Sequence, residues 1–148
     1  MNILSRPQGR AYEMRHTVGF AETNLVGNVY FTRHLEWQGR CREMFLRDHC
    51  PEVLDALRID LALITLSCRC EYLAELSAFD EIMLRMRLGG LTQSHLVLEF
   101  DYLRCEPDGG ETLVARGQQQ LAVMRRDNGE LAPAPVPASL RSALATYE

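Results

Sequence analysis

Not one of the 148 residues is lysine, although sixteen are arginine. This removes Schiff-base chemistry on a lysine amine outright. Basic residues are also thinly spread: no Lys/Arg run exceeds Arg125-Arg126, and the formal net charge is −4. A phosphate-binding surface needs a basic face, so nucleic acid is not an expected partner. No apolar run approaches the roughly 18 residues of a membrane span, and the first ten residues lack the apolar stretch of a secretory signal. A membrane is therefore not expected, and a cytoplasmic protein is. Five cysteines, an odd number with only Cys68 and Cys70 closely spaced, give neither a disulfide framework nor zinc spacing. Reduced, buried thiols are expected, with no metal and no cofactor.

What is present fits one ordinary domain spanning 1–148. Hydrophobic residues make up 47% and charged residues 24%, which excludes disordered and fibrous classes. Residues 11–21 alternate Tyr12, Met14, His16, Val18 and Phe20 on one side, as a strand does. From Val29 to about Cys50 the period becomes helical, and Pro51 helps to end the helix. Four strand patterns follow, over 60–73, 79–91, 94–105 and 112–126. In the first, Ala62, Ile64, Leu66, Cys68, Cys70 and Tyr72 share a face, opposite Thr65 and Ser67. "EPDGGE" is a hairpin turn and "DNGE" closes the last strand. Residues 132–148 read as a Pro-rich linker and a short terminal helix. The order of one strand, one long helix and four antiparallel strands predicts an α+β layer, a sheet covered by a single helix.

At about 100° per residue, Phe31, Leu35, Gln38, Gly39, Arg42, Phe45 and Leu46 form one stripe of the long helix. Trp37, Cys41 and Met44 form a second, so burial on two sides is expected. The other three arginines of the helix, Arg33, Arg40 and Arg47, lie on the opposite face, where Glu36–Arg40 and Glu43–Arg47 have pairing spacing. Arg42 alone interrupts the apolar stripe. An unpaired charge there costs several kcal/mol, so it needs an acidic partner, a polar cleft or a ligand, or must snorkel past Leu46 to the surface. Just before the helix, "ETNLVGNVYF" places Asn24, Gly27 and Asn28 where orphan backbone N–H groups gather. Asn24 either holds a turn or serves a site, and Gly27 supplies a permissive backbone in both cases.

Residues 18–46, "VGFAETNLVGNVYFTRHLEWQGRCREMFL", followed by four antiparallel strands, resemble the hotdog-fold thioesterases of the 4-hydroxybenzoyl-CoA thioesterase type. "ETNLVGNVYF" with "WQGRCREMFL" resembles, more narrowly, the thioesterases of enediyne-polyketide biosynthesis. The resemblance implies an antiparallel sheet wrapped around one long helix. It also implies a thioesterase acting on a polyene β-ketoacyl chain held by the acyl carrier protein of an iterative polyketide synthase. The family pattern "F-x-D-x-D-x-x-G-x-V" puts Asn24 where a catalytic aspartate is usual, with Gly27 and Val29 in register. An amide neither ionises nor attacks at neutral pH, so no carboxylate nucleophile or base carries over.

The enediyne subgroup shares this asparagine and an arginine at the Arg42 position, and the resemblance assigns both to catalysis. The N–H groups of Tyr30 and Phe31, at the helix N-terminus, are the expected oxyanion donors. Gly27, Val29, Leu35 and Thr65 are the expected substrate contacts. Homo-oligomers built from dimers are expected, because protomers of this kind expose sheet edges. Other readings are a general acyl-CoA thioesterase and a non-catalytic polyene-binding protein. A dehydratase is disfavoured for want of a His paired with Asp or Glu, and a hidden triad on His34, His49 or His95 is not indicated.

Overall fold

The computed structural model describes residues 10–148. Strand β1 (Tyr12–Thr17) leads through a single 3₁₀ turn (Phe20–Glu22) to helix α1 (Arg33–His49). After α2 (Pro51–Leu57) come β2 (Leu61–Tyr72), β3 (Glu81–Leu91), β4 (His95–Cys105), β5 (Glu111–Asp127) and β6 (Glu130–Pro133), and α3 (Ala138–Ala145) closes the order. Every strand pairing is antiparallel, in the order β1-β3-β4-β5-β2, with β6 paired to β5. The sheet curls around α1, which is the hotdog arrangement. Phe45 of the helix and Ile82, Leu84, Phe100, Tyr102 and Leu121 of the sheet are almost completely buried.

Several elements differ from expectation. The helix starts at Arg33, because residues 23–29 are held as a loop by a Thr23–Val29 bridge before the chain turns. Pro51 does not merely stop α1. It sits in the first turn of α2, where its missing N–H costs nothing. The presumed linker is packed: Ala134 and Val136 are buried, and α3 lays Leu140 and Leu144 into the core. On α1, Arg33 pairs with Glu36 at 2.9 Å and Arg40 with Glu43 at 3.8 Å, both at i,i+3, and Arg47 pairs with Asp48 at 2.9 Å, rather than at i,i+4.

A register shift between Thr65 and Ser67 changes the reading of β2 most. Thr65 faces Leu121 across the ladder, Cys68 faces Gln119 and Cys70 faces Gly117. Opposed residues in an antiparallel pair share a face, so the bulge at Leu66 puts Thr65, Cys68 and Cys70 all on the helix side. Simple alternation had separated them. All five cysteines are free, but only Cys41 and Cys50 are buried, while Cys68 is exposed. Gly117 has a packing reason: a Cβ there would lie 2.0 Å from Gln38 Nε2. Gln38 is wholly buried and donates to the Arg69 carbonyl at 2.9 Å. The missing side chain lets α1 lie this close to the sheet.

Candidate active site

The loop before α1 is built around Asn24. Its N–H donates to the Asn28 carbonyl at 2.8 Å, and its carbonyl accepts from Gly27 at 3.0 Å. Its Oδ1 accepts from the backbone N–H of Val26 at 3.0 Å and of Asn28 at 3.2 Å. Gly27 takes φ 89°, which a β-carbon would disfavour. The side-chain oxygen is thus committed to the turn, whereas Nδ2 makes no hydrogen bond among the described residues and Asn24 is exposed. The turn-holding role is real, and it orients the amide so that its N–H₂ is the spare group.

Glu22 clamps the base of this loop. Its carboxylate accepts from the Gly19 N–H at 2.8 Å and the Trp37 indole at 2.7 Å, and it meets His16 Nε2 at 2.7 Å. Burial alone would raise its pKa, but those bonds outweigh burial and hold it below the ordinary carboxylate range. It is occupied as a structural anion.

The helix N-terminus gives a mixed outcome. The Tyr30 N–H, expected to be an oxyanion donor, is already bound to the Glu22 carbonyl at 3.0 Å. The N–H groups of Phe31, Thr32 and His34 make no hydrogen bond among the described residues, and Thr32 supplies no side-chain cap. Two tyrosines of the sheet fix this turn: Tyr72 donates to the Phe31 carbonyl and Tyr102 to the His34 carbonyl, each at 2.6 Å. The donors available to an oxyanion are therefore those of Phe31, Thr32 and His34, on a turn held from below. His34 itself is buried, and neither ring nitrogen finds a partner. Burial pushes its pKa down to about 4.

Arg42, half-buried on α1, has no ion-pair partner among the described residues. Its Nη1 donates to Thr65 Oγ1 at 3.2 Å and to Gln119 Oε1 at 3.1 Å. Burial lowers its pKa, opposed by the nearby Cys68 and Glu43. Arg42 also stands at an apolar cleft lined by Leu63, Leu98, Leu121, Leu140 and Leu144, whose free volume of about 10 Å³ holds no more than one water. Arg42 and Thr65 are thus brought together. No hydrogen bond joins either of them to Asn24. Leu35 is half-buried, and Val29 is core at 7% exposure, with its N–H bound to the Leu76 carbonyl, so a direct substrate contact is not open to it there.

This geometry has relatives. A family model described as the thioesterase-like superfamily matches residues 18–144. The dynemicin thioesterase, whose crystal structures are described as revealing induced-fit and allosteric effects upon polyene binding, is 52% identical with a TM-score of 0.89. The match covers 93% of this chain and 96% of that one. The chain belongs to the thioesterase-like superfamily, and it is a thioester hydrolase.

At 17% identity, two further thioesterases share the fold. A 4-hydroxybenzoyl-CoA thioesterase in complex with its CoA ester has TM-score 0.80, covering 92% of this chain and 99% of that one. A 1,4-dihydroxy-2-naphthoyl-CoA thioesterase from Synechocystis has TM-score 0.78, covering 91% and 96%. No protein of curated function matches the chain.

In this thioesterase, sequence reasoning missed Gln119 and the clamp on Glu22. Gln119 left a signal: with Ala115, Gly117, Leu121 and Val123 it occupies the inward parity of β5, where a glutamine is out of place. His95 meets Ser94 Oγ at 3.1 Å within a tight turn, but among the described residues no acidic group completes a triad there.

Proposed function

We propose that the enzyme hydrolyses a polyene β-ketoacyl thioester carried on the acyl carrier protein of an iterative polyketide synthase of the enediyne type. The observation that carries this reading is Arg42: a cation with no carboxylate partner among the described residues, beside an apolar cleft. A simple acyl chain offers nothing for such a charge to bind. A β-ketoacyl chain offers a second oxygen, and its enolate a negative charge. The 52% identity to a thioesterase that binds a polyene supports the polyene, and the absence of lysine and basic runs leaves a nucleotide moiety little to hold.

In this mechanism the thioester oxygen lies against the free N–H groups of Phe31, Thr32 and His34, with the Asn24 N–H₂ as a further donor. Water adds to the thioester carbon and the developing oxyanion is stabilised by these donors and by the helix dipole. The C–S bond then breaks, the pantetheine sulfur leaves with the water's proton, and the β-keto acid is freed. Arg42 holds the β-oxygen throughout. The protein supplies charge stabilisation rather than a carboxylate base, since Asn24 cannot ionise and Glu22 is engaged elsewhere.

The cleft is too small for a chain in this state, so its leucines must part on binding. Induced fit described for the dynemicin thioesterase supports this. A second copy of the chain is part of the reading. β2 is an edge strand, and Leu25, Val26, Phe31 and Leu66 stand exposed beside it or on the loop before α1. We take the enzyme to be a dimer or a dimer of dimers, acting in the cytoplasm alongside its synthase.

The experiment is co-incubation of the enzyme with a loaded synthase and mass analysis of what is released. A free β-keto acid or its decarboxylated ketone is expected. Binding without release would favour a polyene-binding protein, and efficient turnover of small acyl-CoA esters alone would favour a general thioesterase.

A further inference from the structure

Gln119 is 2% exposed and lies on β5 opposite Cys68, with Leu121 and Thr65 the next inward pair of the same ladder. Its Oε1 takes one hydrogen of Arg42 Nη1 at 3.1 Å, and Thr65 Oγ1 takes the other at 3.2 Å. With both hydrogens of Nη1 committed, Nε–H and Nη2 have no partner among the described residues. These two nitrogens form the side-on fork of the guanidinium, the edge that binds two oxygens at once. That edge is left open to the β-keto oxygen and the enolate it forms, while the thioester oxygen lies at the helix N-terminus.

A half-buried guanidinium ordinarily meets a carboxylate, which both orients it and cancels its charge. Here the acceptor inside the core is an amide. We infer that Gln119 is a positioning residue for thioester hydrolysis: it fixes the plane of Arg42 through Nη1 with an uncharged acceptor, so that the fork reaches the substrate with its charge uncompensated. A carboxylate of the same shape would perform the first task and undo the second. This rests on the proposed role of Arg42 as a substrate-binding group.

The test compares Gln119→Glu, Gln119→Leu and Arg42→Ala with the unmodified enzyme. The substrates are a β-ketoacyl pantetheine thioester and the corresponding saturated acyl thioester without the β-oxygen. Gln119→Glu is expected to melt no lower than the parent, because it forms an ion pair, and yet to lose about 100-fold in kcat/KM on the β-keto substrate. On the saturated substrate its loss should be within about threefold, since the oxyanion donors are untouched. Gln119→Leu removes the acceptor but not the charge, so it should raise KM for the β-keto substrate more than it lowers kcat.

A merely structural glutamine gives the reverse pattern, with Gln119→Leu unstable and Gln119→Glu as active per folded molecule as the parent on both substrates. That pattern overturns the inference. If Arg42→Ala is inactive while Gln119→Glu is fully active, only the role of Gln119 falls. If Arg42→Ala itself keeps full turnover, the reading of Arg42 falls and takes this inference with it.

Discussion

Arg42 Nη1 lies 3.1 Å from the buried Oε1 of Gln119, so a cation set among leucines is satisfied by an amide and not by an anion. Removing the arginine therefore strands no buried carboxylate. Arg42→Ala should cost only about 1–3 kcal/mol of stability, the penalty of an unsatisfied amide oxygen, rather than the 3–5 kcal/mol of a broken buried ion pair. Turnover should fall far more. Arg42→Lys should fail almost as badly, because an ammonium has no fork. Melting and turnover measured on the same samples check both halves, and full turnover per folded molecule in Arg42→Ala contradicts the assignment.

Asn24→Asp is the sharper test of the loop. The aspartate keeps an oxygen for the Val26 and Asn28 N–H groups, so the turn survives, but it replaces the free N–H₂ with a second oxygen. The expected result is a stable protein that is roughly 10²-fold slower, because a carboxylate repels the oxyanion it faces. Asn24→Ala should be slow and also less stable, by about 1 kcal/mol for the lost turn bonds. Retained or improved turnover in Asn24→Asp points instead to a general base.

His34 makes stability, rather than chemistry, sensitive to pH. Its folded pKa is depressed by burial to about 4 from the ordinary 6.5. The folded protein binds this proton less tightly than the unfolded chain does. Stability from His34 is therefore full above pH 6.5 and lost as pH falls toward 4, by roughly 3 kcal/mol in all. Glu22 has the carboxylate sign: its depressed pKa adds stability that is lost only at lower pH. Denaturant melts between pH 7.5 and 4.5 should show the His34 slope, and His34→Phe should flatten it. An unchanged slope in that variant assigns the titration elsewhere.

Leu140 and Leu144, on the inward face of α3, close the cleft that Arg42 opens. Leu144→Ala should lower stability by about 2–5 kcal/mol and raise kcat/KM for the longest acyl chains relative to short ones. A long-chain ligand should restore part of that stability by filling the space. Chain-length profiles of the two proteins that superimpose would remove α3 from the acyl site.

The α+β architecture was legible because its signals are periodic: five alternating runs, one helical run and hairpin turns. Arg42 was legible too, as the one charge in an apolar stripe. What escaped was set by events without a period. The bulge at Leu66 turns Thr65 and Cys68 to the same side, and no pattern of alternation foretells a slip of one residue. Pro51 served two helices, ending one and starting the other. The Tyr30 N–H was spent on the Glu22 carbonyl, a contact between segments eight residues apart that only the folded loop creates.

Assembly follows from the exposed edge of β2 and the apolar side chains beside it. Light scattering at micromolar concentration should give two or four times the 16.9 kDa of one chain. A monomer at that concentration contradicts the proposed assembly.

The central claim is that Arg42 recognises a β-oxygen and stabilises the charge it gathers. Single-turnover rates on matched β-ketoacyl and saturated acyl thioesters, for the parent enzyme and Arg42→Ala, test it most directly. The parent should favour the β-keto substrate by about 10²-fold, and Arg42→Ala should lose that preference by slowing on the β-keto substrate alone. Equal rates on both substrates in the parent, or a preference that survives in Arg42→Ala, would contradict it.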